Sequence, residues 1–251
     1  MHNNKLVSII TPSYNSGQYI EETIESVLIQ TYQNWEMIII DDCSTDNSIT
    51  IIEKYILQDP RIKLLFNKHN LGVAKSRNKG ITASSGHYIA LLDSDDLWLP
   101  IKLEKQIKLM LDENILMSYS AYNTIDINNN ILGYFPVKEK TTYSDLLRTS
   151  NIGTLTMIYD VNQLGKLYFE NIGHEDYILK LHILKKIPYA QGLNEILASY
   201  RIVDNSVSSN KFKAALWQWK IYRDIEKISL YKSIYYFLHY AYHGVFKYKS
   251  S

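Results

Sequence analysis

Cysteine is almost missing from this sequence, since Cys43 is the single one among 251 residues. One cysteine forms no intramolecular disulfide and no cysteine-based zinc site, which is typical of a reducing compartment. Ten glycines and five prolines are too few for a collagen-like or linker-like chain. Because no apolar run reaches about 18 residues, we expect no membrane-spanning helix. Residues 1–6 show no basic and then apolar leader, so we expect no secretion signal and a cytoplasmic location.

A strong excess of either charge is also missing, with 27 Lys and Arg against 26 Asp and Glu. The bulk charge therefore does not favour a nucleic-acid partner. Charge is nevertheless unevenly distributed, because residues 211–251 carry a net +6, which leaves −5 for residues 1–210. The same tail contains seven of the 21 tyrosines. A basic amphipathic helix there would bind an anionic membrane surface, or its apolar stripe would pack on its own domain, and both interpretations stay open.

Short apolar runs and helical patterns alternate through the first 110 residues. Strands are predicted at Val7–Thr11, Trp35–Ile40, Ile62–Phe66 and His87–Leu92, and helices at Tyr19–Gln30, Ile49–Leu57 and Val73–Thr82. Apolar runs without alternation fit strands that are covered on both faces. We therefore predict an α/β fold with a doubly wound, mostly parallel sheet and flanking helices. Further along, a hairpin turn is predicted at Ile125–Ile131 and a helix at Glu175–Lys185.

Acidic residues follow two of the predicted strands, as Asp41-Asp42 and as Asp93-Ser94-Asp95-Asp96. Ligands of open parallel sheets bind outside the carboxyl ends of the strands. Two carboxylate clusters in one crevice repel each other, and Mg²⁺ or Mn²⁺ together with substrate phosphates would remove that repulsion. The alternative is that these acids cap the helices that follow, as Asp96 would cap the helix after Pro100. The glycine loops of dinucleotide enzymes and P-loop ATPases are absent.

These segments together resemble the motif series of family 2 inverting glycosyltransferases with the GT-A fold. The resemblance lies in residues 8–15 (SIITPSYN), 30–32 (QTY), 40–46 (IDDCSTD), 70–80 (NLGVAKSRNKG) and 92–96 (LDSDD), with weaker support from 173–177 (GHEDY), 200–201 and 205–208. The whole chain is similar to bacterial enzymes that build capsule, O-antigen or teichuronic-type polysaccharides. The resemblance implies a GT-A domain at residues 1–210 and a C-terminal helical tail at 211–251. Within the domain, a nucleotide-sugar half extends to about residue 115 and an acceptor half follows it.

The resemblance also implies roles for individual positions. The residues that it places around a nucleotide diphosphate sugar, most often a UDP-sugar, are Thr11, Pro12, Tyr14, Asp42, Arg77, Asp93, Asp95 and Arg201. Thr11, Pro12 and Tyr14 would line the uracil and ribose, and Asp42 would accept from the base edge. Arg77 would lie near the base or the diphosphate, unless it is a surface arginine. Asp93 would lie at the ribose, and Asp95 would bind Mn²⁺ or Mg²⁺ in the DxD motif.

Chemistry requires a base in addition to the metal, because the attacking sugar hydroxyl must lose its proton. The resemblance implies that Asp176 is this base and that Glu175 orients it or contacts a saccharide acceptor, commonly a lipid-linked one. The alternative is that both acids only stabilise the first turn of a helix. A direct displacement would invert the anomeric centre. With a lipid-linked acceptor, the basic tail would hold the enzyme at the inner face of the membrane.

Two departures from the family pattern leave alternatives open. Many relatives have a metal-binding histidine at the position of Val203, so that the metal relies on Asp95, phosphates and water, or Arg201 contacts the diphosphate instead. The Gln-x-x-Arg-Trp motif of processive synthases is absent, which favours single additions.

A sugar-nucleotide nucleotidyltransferase would need a basic, glycine-rich loop, whereas residues 11–18 contain one glycine and no Lys or Arg. A non-catalytic sugar-binding protein would not need Asp95 and Asp176 together.

Overall fold

The computed structural model describes residues 4–203 and 211–246. Its strands are β1 (Val7–Ser13), β2 (Trp35–Asp41), β3 (Ile62–Phe66), β4 (Tyr88–Leu91), β5 (Leu97–Trp98), β6 (Met117–Ile125), β7 (Ile131–Phe135), β8 (Lys140–Thr141), β9 (Ile158–Asp160) and β10 (Ala190–Arg201). Its α-helices are α1 (Ile20–Leu28), α2 (Ser48–Gln58), α3 (Val73–Ala83), α4 (Lys102–Asp112), α5 (Tyr143–Arg148), α6 (Val161–Leu164), α7 (Glu175–Leu184), α8 (Lys211–Lys220) and α9 (Leu230–Phe246).

One mixed sheet organises the molecule, with the strand order β3-β2-β1-β4-β9-β6-β10-β5. The strands β3, β2, β1 and β4 are parallel to their neighbours, as the uninterrupted apolar runs predict. The strand β9 is antiparallel to both β4 and β6, whereas β10 is parallel to β6. The parallel part thus comes from residues 7–91, and β9 joins it to the rest of the sheet, where β5 pairs with β10 at the far edge.

Both faces of the sheet are covered, which confirms the doubly wound α/β prediction. Along β2, Met37 and Ile39 belong to one buried cluster, and Ile38 and Ile40 belong to the other. On the second face α3 packs closely, since a Cβ at Gly80 would lie 2.6 Å from Ile40 Cδ1. This contact fixes the height of α3 above the sheet.

The predicted elements of the first 110 residues are all present, with ends shifted by a few residues. One structural difference is at the first strand, which continues through Pro12 to Ser13 instead of stopping before the proline. Because β1 pairs with β4 only from Val7 to Ile10, the missing N–H of Pro12 interrupts no ladder on that side. The hairpin turn predicted at Ile125–Ile131 joins the antiparallel strands β6 and β7.

The described part of the tail, residues 211–246, is largely helical and packs on the rest of the chain. A π-helical turn at Ile221–Ile225 follows α8, and its first two residues, Ile221 and Tyr222, are buried in the main core. The Tyr222 hydroxyl donates to the carbonyl of Leu147 at 2.5 Å. The predicted boundary at residues 210 and 211 and the 205–208 motif are outside the described residues, or border on them. Among the described helices, none has the length and apolar character that a membrane crossing requires.

Candidate active site

The carboxyl ends of β1, β2 and β4 lie side by side and position the loops of the candidate site. The backbone N–H of Asp42, just after β2, donates to Ser13 O at the end of β1 at 2.9 Å. On the other side, the N–H of Leu92 after β4 donates to Ile10 O at 3.1 Å. Two carboxylate clusters that are about 50 residues apart in sequence are therefore placed at one edge of the sheet.

Asp42 holds the turn that leads into α3. Its carboxylate accepts hydrogen bonds at 2.8 Å from the side chain of Asn67 and from the backbone N–H groups of Leu71 and Gly72. Gly72 has φ of 84°, a backbone conformation that glycine adopts without strain. Although burial opposes ionisation, these donors lower the pKa of Asp42 below its ordinary value. The carboxylate predicted to accept from a base is thus ionised and already anchors a loop.

The three residues predicted to line a uracil and ribose differ in exposure. Thr11 and Pro12 are buried within β1, whereas Tyr14 is 52% exposed just beyond it. The Thr11 hydroxyl is buried and has no hydrogen-bond partner within the described residues. Tyr14 is therefore the member of this trio whose side chain is open to a ligand in this structure.

Arg77 connects the two halves of the site. Its side chain is 5% exposed, so the alternative of a surface arginine is wrong. Nη2 forms an ion pair with Asp93 Oδ1 at 2.6 Å, and Nη1 forms one with Glu175 Oε1 at 3.4 Å. A buried guanidinium needs such partners, because its charge is costly to remove from water. The arginine thus brings the loop after β4 and the start of α7 together.

Asp95 fits the predicted metal ligand in its chemistry. Burial and the negative charge of Asp93 raise the pKa of Asp95 to about 6, because no cation fully compensates this carboxylate. Within residues 4–203 and 211–246, no group of three or more His, Cys, Asp or Glu side chains is arranged to hold a metal ion. A single carboxylate that is completed by substrate phosphates and water suits Mg²⁺ or Mn²⁺. The residues present therefore fit a metal that arrives with the nucleotide.

Arg201 lies beneath the Asp95 loop, and this structure does not support its predicted contact with a diphosphate. Its side chain is fully buried. Its guanidinium donates to the backbone carbonyls of Asp95 and Asp126, to Asn129 Oδ1 and to Glu22 Oε2. Four of its five donors are thereby used within the protein.

Asp96 does not cap the helix after Pro100, contrary to the alternative considered above. The N-cap residue of α4 is Ile101, and Asp96 is instead 1% exposed beneath the loop. Its Oδ1 accepts from the backbone N–H of Arg201 at 2.9 Å. Burial and the charges of Asp95 and Asp93 raise the pKa of Asp96 well above its ordinary value. Asp96 and Arg201 together attach β10 to the loop that contains Asp95.

Glu175 and Asp176 occupy the first turn of α7, directly after His174, whose φ of 60° is left-handed. They are more than first-turn acids, because each has its own cationic partner. Glu175 pairs with Arg77, yet burial raises its pKa. Burial acts on Asp176 in the same direction, but the partners of its carboxylate, Lys180 first among them, together outweigh burial and lower the pKa of Asp176. The two adjacent carboxyls therefore differ, and Asp176 is the more firmly ionised one.

Three residues of the site were missed by the sequence analysis. Lys180 follows Asp176 by one helical turn, a spacing that could have revealed the pair. Thr154 donates to Asp176 from an irregular stretch, and Glu22 pairs with Arg201 from α1. No local pattern in the sequence indicates either of these two contacts.

The tail also contacts the site. The ring of Trp217 on α8 lies against Gly173, where an added Cβ would be 2.3 Å from Trp217 Cδ2. The same ring meets the His174 ring edge to face at 5.2 Å between centroids. The tail helix therefore packs directly against the two residues that precede Glu175.

Comparisons with known proteins give the family of this chain. The model of the family described as Glycosyl transferase family 2 matches residues 8–160. The chain is 43% identical over 244 residues to TuaG of Bacillus subtilis (strain 168), a glycosyltransferase assigned to teichuronic acid biosynthesis. The aligned region covers 96% of this chain and 97% of TuaG. It is 43% identical over 243 residues to the Escherichia coli UDP-Glc:alpha-D-GlcNAc-diphosphoundecaprenol beta-1,3-glucosyltransferase WfgD, with 96% of this chain and 94% of WfgD covered.

Solved structures show the same fold at lower identity. S. aureus TarS 1-349 in complex with UDP-GlcNAc superposes with a TM-score of 0.72 at 21% identity, over 88% of this chain and 67% of that one. A mannosyltransferase from Pyrobaculum calidifontis in complex with GDP-Man and Mn²⁺ superposes with a TM-score of 0.70 at 18% identity, over 89% and 64%. The match over most of the sheet and two near full-length relatives place this chain in glycosyltransferase family 2, with the GT-A fold.

Proposed function

We propose that this glycosyltransferase moves a sugar from a UDP-sugar to a lipid-linked saccharide by one direct displacement that inverts the anomeric centre. The observation that carries the proposal is the position of Arg77, whose guanidinium pairs with Asp93 on one side and with Glu175 on the other. Arg77 thereby links the DxD loop (residues 93–95) to the first turn of α7. A donor bound at the first and an acceptor bound at the second would meet between them. Such positioning makes a large contribution to group-transfer catalysis.

Each half of the reaction has a group suited to it. Asp176 would accept the proton of the attacking hydroxyl, because its carboxylate is ionised and its side chain is 33% exposed. Asp95 would hold Mn²⁺ or Mg²⁺, which stabilises negative charge on a departing diphosphate when bound. Tyr14 would contact the base, and Arg77 would keep Asp93 oriented toward the ribose. Glu175 would orient the acceptor.

The acceptor class follows from the relatives. WfgD and WfaP, which is 39% identical over 243 residues, are both named for glucosyl transfer from UDP-Glc to GlcNAc-diphosphoundecaprenol. By similarity, UDP-glucose and a lipid-diphosphate-linked GlcNAc are the first substrate pair to test here. A substrate anchored in lipid requires the enzyme to work at a membrane surface.

An exposed face of α9 suits that surface. The side chains on this apolar face are Leu230, Tyr231, Ile234, Tyr235, Leu238 and Tyr242, which are 44–88% exposed. No Asp or Glu occurs in Leu230–Phe246, and Lys227 and Lys232 are exposed beside the face. An apolar stripe flanked by cations binds anionic lipid. We propose that this face rests on the inner leaflet of the cell membrane.

The experiment measures UDP release from a panel of UDP-sugars with a GlcNAc-diphosphate lipid acceptor and Mn²⁺ or Mg²⁺. Wild type should turn over one donor, and Asp95→Ala should lose the metal-dependent reaction. Asp176→Asn should bind UDP as wild type does but lose turnover, whereas the remote variant Glu53→Gln should match wild type. If no UDP-sugar binds or reacts, the donor assignment fails. A parallel panel of GDP- and dTDP-sugars then shows whether another nucleotide replaces uridine.

A further inference from the structure

The carboxylate of Asp176 is held from one side only. Lys180 lies one turn further along α7, with its side chain 2% exposed, and its Nζ is 2.8 Å from Asp176 Oδ2. Thr154, in the 3₁₀ turn Thr154–Thr156, donates from Oγ1 to the same Oδ2 at 2.7 Å. The ammonium of Lys180 also donates to Thr154 Oγ1 at 2.8 Å. The Lys180 ammonium, the Thr154 hydroxyl and Asp176 Oδ2 are therefore joined pairwise by hydrogen bonds.

The second oxygen of Asp176 is left for a ligand. Among the described residues, Oδ1 accepts no hydrogen bond, while the side chain as a whole is 33% exposed. A carboxylate has about four acceptor positions. Since both protein donors occupy Oδ2, the exposed part of the carboxylate is on the Oδ1 side.

We propose that Lys180 and Thr154 are positioning residues that fix the carboxylate of Asp176 so that Oδ1 receives the proton of the acceptor hydroxyl. This inference rests on the proposed function. In the step, the acceptor oxygen forms a bond to the anomeric carbon and its proton moves to Oδ1. The bond from the anomeric carbon to the diphosphate oxygen breaks, and UDP leaves with the electron pair. Lys180 keeps all its protons throughout.

The charges around Asp176 explain why a lysine is needed. Asp176 faces Lys180 on its own helix, Arg77 on α3 and the neighbouring carboxyl of Glu175. Burial and Glu175 favour the protonated acid, which cannot accept another proton. Lys180 and Arg77 oppose them and keep the pKa of Asp176 below its ordinary value. Because Arg77 already pairs with Asp93 and Glu175, Lys180 is the dedicated counter-charge.

A structural role alone would predict a different outcome from the same substitution. If Lys180 only stabilised the fold, its loss would reduce the amount of active enzyme equally at every pH. If it keeps Asp176 ionised, its loss moves the acid limb of the rate profile to higher pH. The pH profile of kcat/KM therefore distinguishes the two roles.

The test compares wild type, Lys180→Met and Thr154→Val, with Lys185→Met as the matched control. Lys185 is the C-cap residue of α7 and pairs with Glu226, away from Asp176. In Lys180→Met, we expect the acid limb of the kcat/KM profile to shift to higher pH by about one unit or more. UDP affinity, measured by calorimetry, should stay within about twofold of wild type. An unchanged limb would overturn the proposal, whatever the loss in rate.

Two further measurements keep the result decisive. If Lys180→Met does not fold, Thr154→Val must still raise the acid limb, and an unshifted limb there overturns the proposal. The carboxyl ¹³C resonance of Asp176, assigned with Asp176→Asn, reports its protonation without turnover. Absence of turnover by wild type would contradict the proposed function. A resonance that titrates alike in wild type and Lys180→Met would separately contradict the role of Lys180.

Discussion

The guanidinium of Arg201 donates from Nε to the backbone carbonyl of Asp95 at 2.8 Å, although 106 positions separate the two residues. Its Nη2 forms an ion pair with Glu22 Oε2 at 2.6 Å, so that α1, the DxD loop and β10 are joined through one side chain. A loop held this way presents its carboxylate in one orientation. We infer that Arg201 supports Asp95, the proposed metal ligand, from beneath.

Arg201→Lys should therefore lower the affinity for Mn²⁺ and raise the Mn²⁺ concentration that UDP binding requires. Lysine cannot reproduce a planar fork that contacts four acceptors, and residues behind metal ligands typically contribute about 10- to 100-fold in metal affinity. Titration calorimetry of UDP at a series of Mn²⁺ concentrations measures this effect. Arg148→Lys, at a half-exposed arginine on α5, serves as the control. Identical Mn²⁺ requirements in wild type and Arg201→Lys would refute the supporting role.

Gly173→Ala should reduce turnover, because its Cβ would overlap the ring of Trp217 at 2.3 Å. The overlap would displace either α8 or the residues that lead into Glu175 and Asp176. Overpacking of this kind costs about 1–3 kcal/mol. In the double variant Gly173→Ala/Trp217→Leu, the space is restored and turnover should recover in part. Steady-state UDP release decides this, and a double variant no better than Gly173→Ala would show that the contact is not the cause.

The exposed apolar face of α9 should determine binding to lipid vesicles. Leu238→Glu places a carboxylate in that face, which anionic lipid repels and which is costly to bury. Co-sedimentation with vesicles of phosphatidylglycerol and phosphatidylethanolamine should fall by about tenfold or more. Leu57→Glu changes an 89% exposed leucine on α2 and should bind as wild type does. Equal losses in both variants would mean that α9 has no special role.

Glu36 should contribute a pH-dependent part of the stability. Its buried carboxylate accepts from the hydroxyl of Ser8 and from the backbone and hydroxyl of Ser85, and it pairs with Lys63 at 2.7 Å. Burial opposes ionisation, but these partners together lower the pKa of Glu36 from 4.5 to about 2. A folded-state pKa below the unfolded one stabilises the protein above pH 4.5, and that contribution is lost as the pH falls toward 2.

The shift corresponds to about 3 kcal/mol at neutral pH. Glu36→Gln should lose stability of this order at pH 7, and its difference from wild type should shrink as the pH is lowered through 4.5. Urea unfolding at pH 7, 5 and 3.5 measures the difference. Glu53→Gln, at an exposed position on α2, should match wild type at each pH. A gap between Glu36→Gln and wild type that stays constant with pH would argue against the ionised network.

Much of the fold could be predicted because its signals are local. The apolar run 37–40 reads as a strand covered on both faces, and the structure places its alternate residues in two separate cores. The motifs that end β1, β2 and β4 also indicated where a ligand would bind. The ion pair of Asp176 with Lys180 belongs to this group, since their spacing of four residues on one helix is visible in the sequence.

Other features follow from packing that joins distant segments. Thr154 meets Asp176 across 22 positions, and Arg201 meets Glu22 across 179. The complete burial of Arg201 also follows from tertiary packing, which no spacing could reveal. Trp217 likewise reaches Gly173 only because the tail folds back on the core.

The sequence by itself determined the succession of strands and helices in the first 110 residues, the family and the carboxylates at the strand ends, because periodicity and motifs act over a few neighbouring residues. Only the tertiary structure decided which cation faces which carboxylate. Across distant segments, Arg77 pairs with Asp93 and Glu175, and Arg201 pairs with Glu22. Coulombic attraction and desolvation depend on distance and burial in space, and these two quantities exist only once the chain has packed.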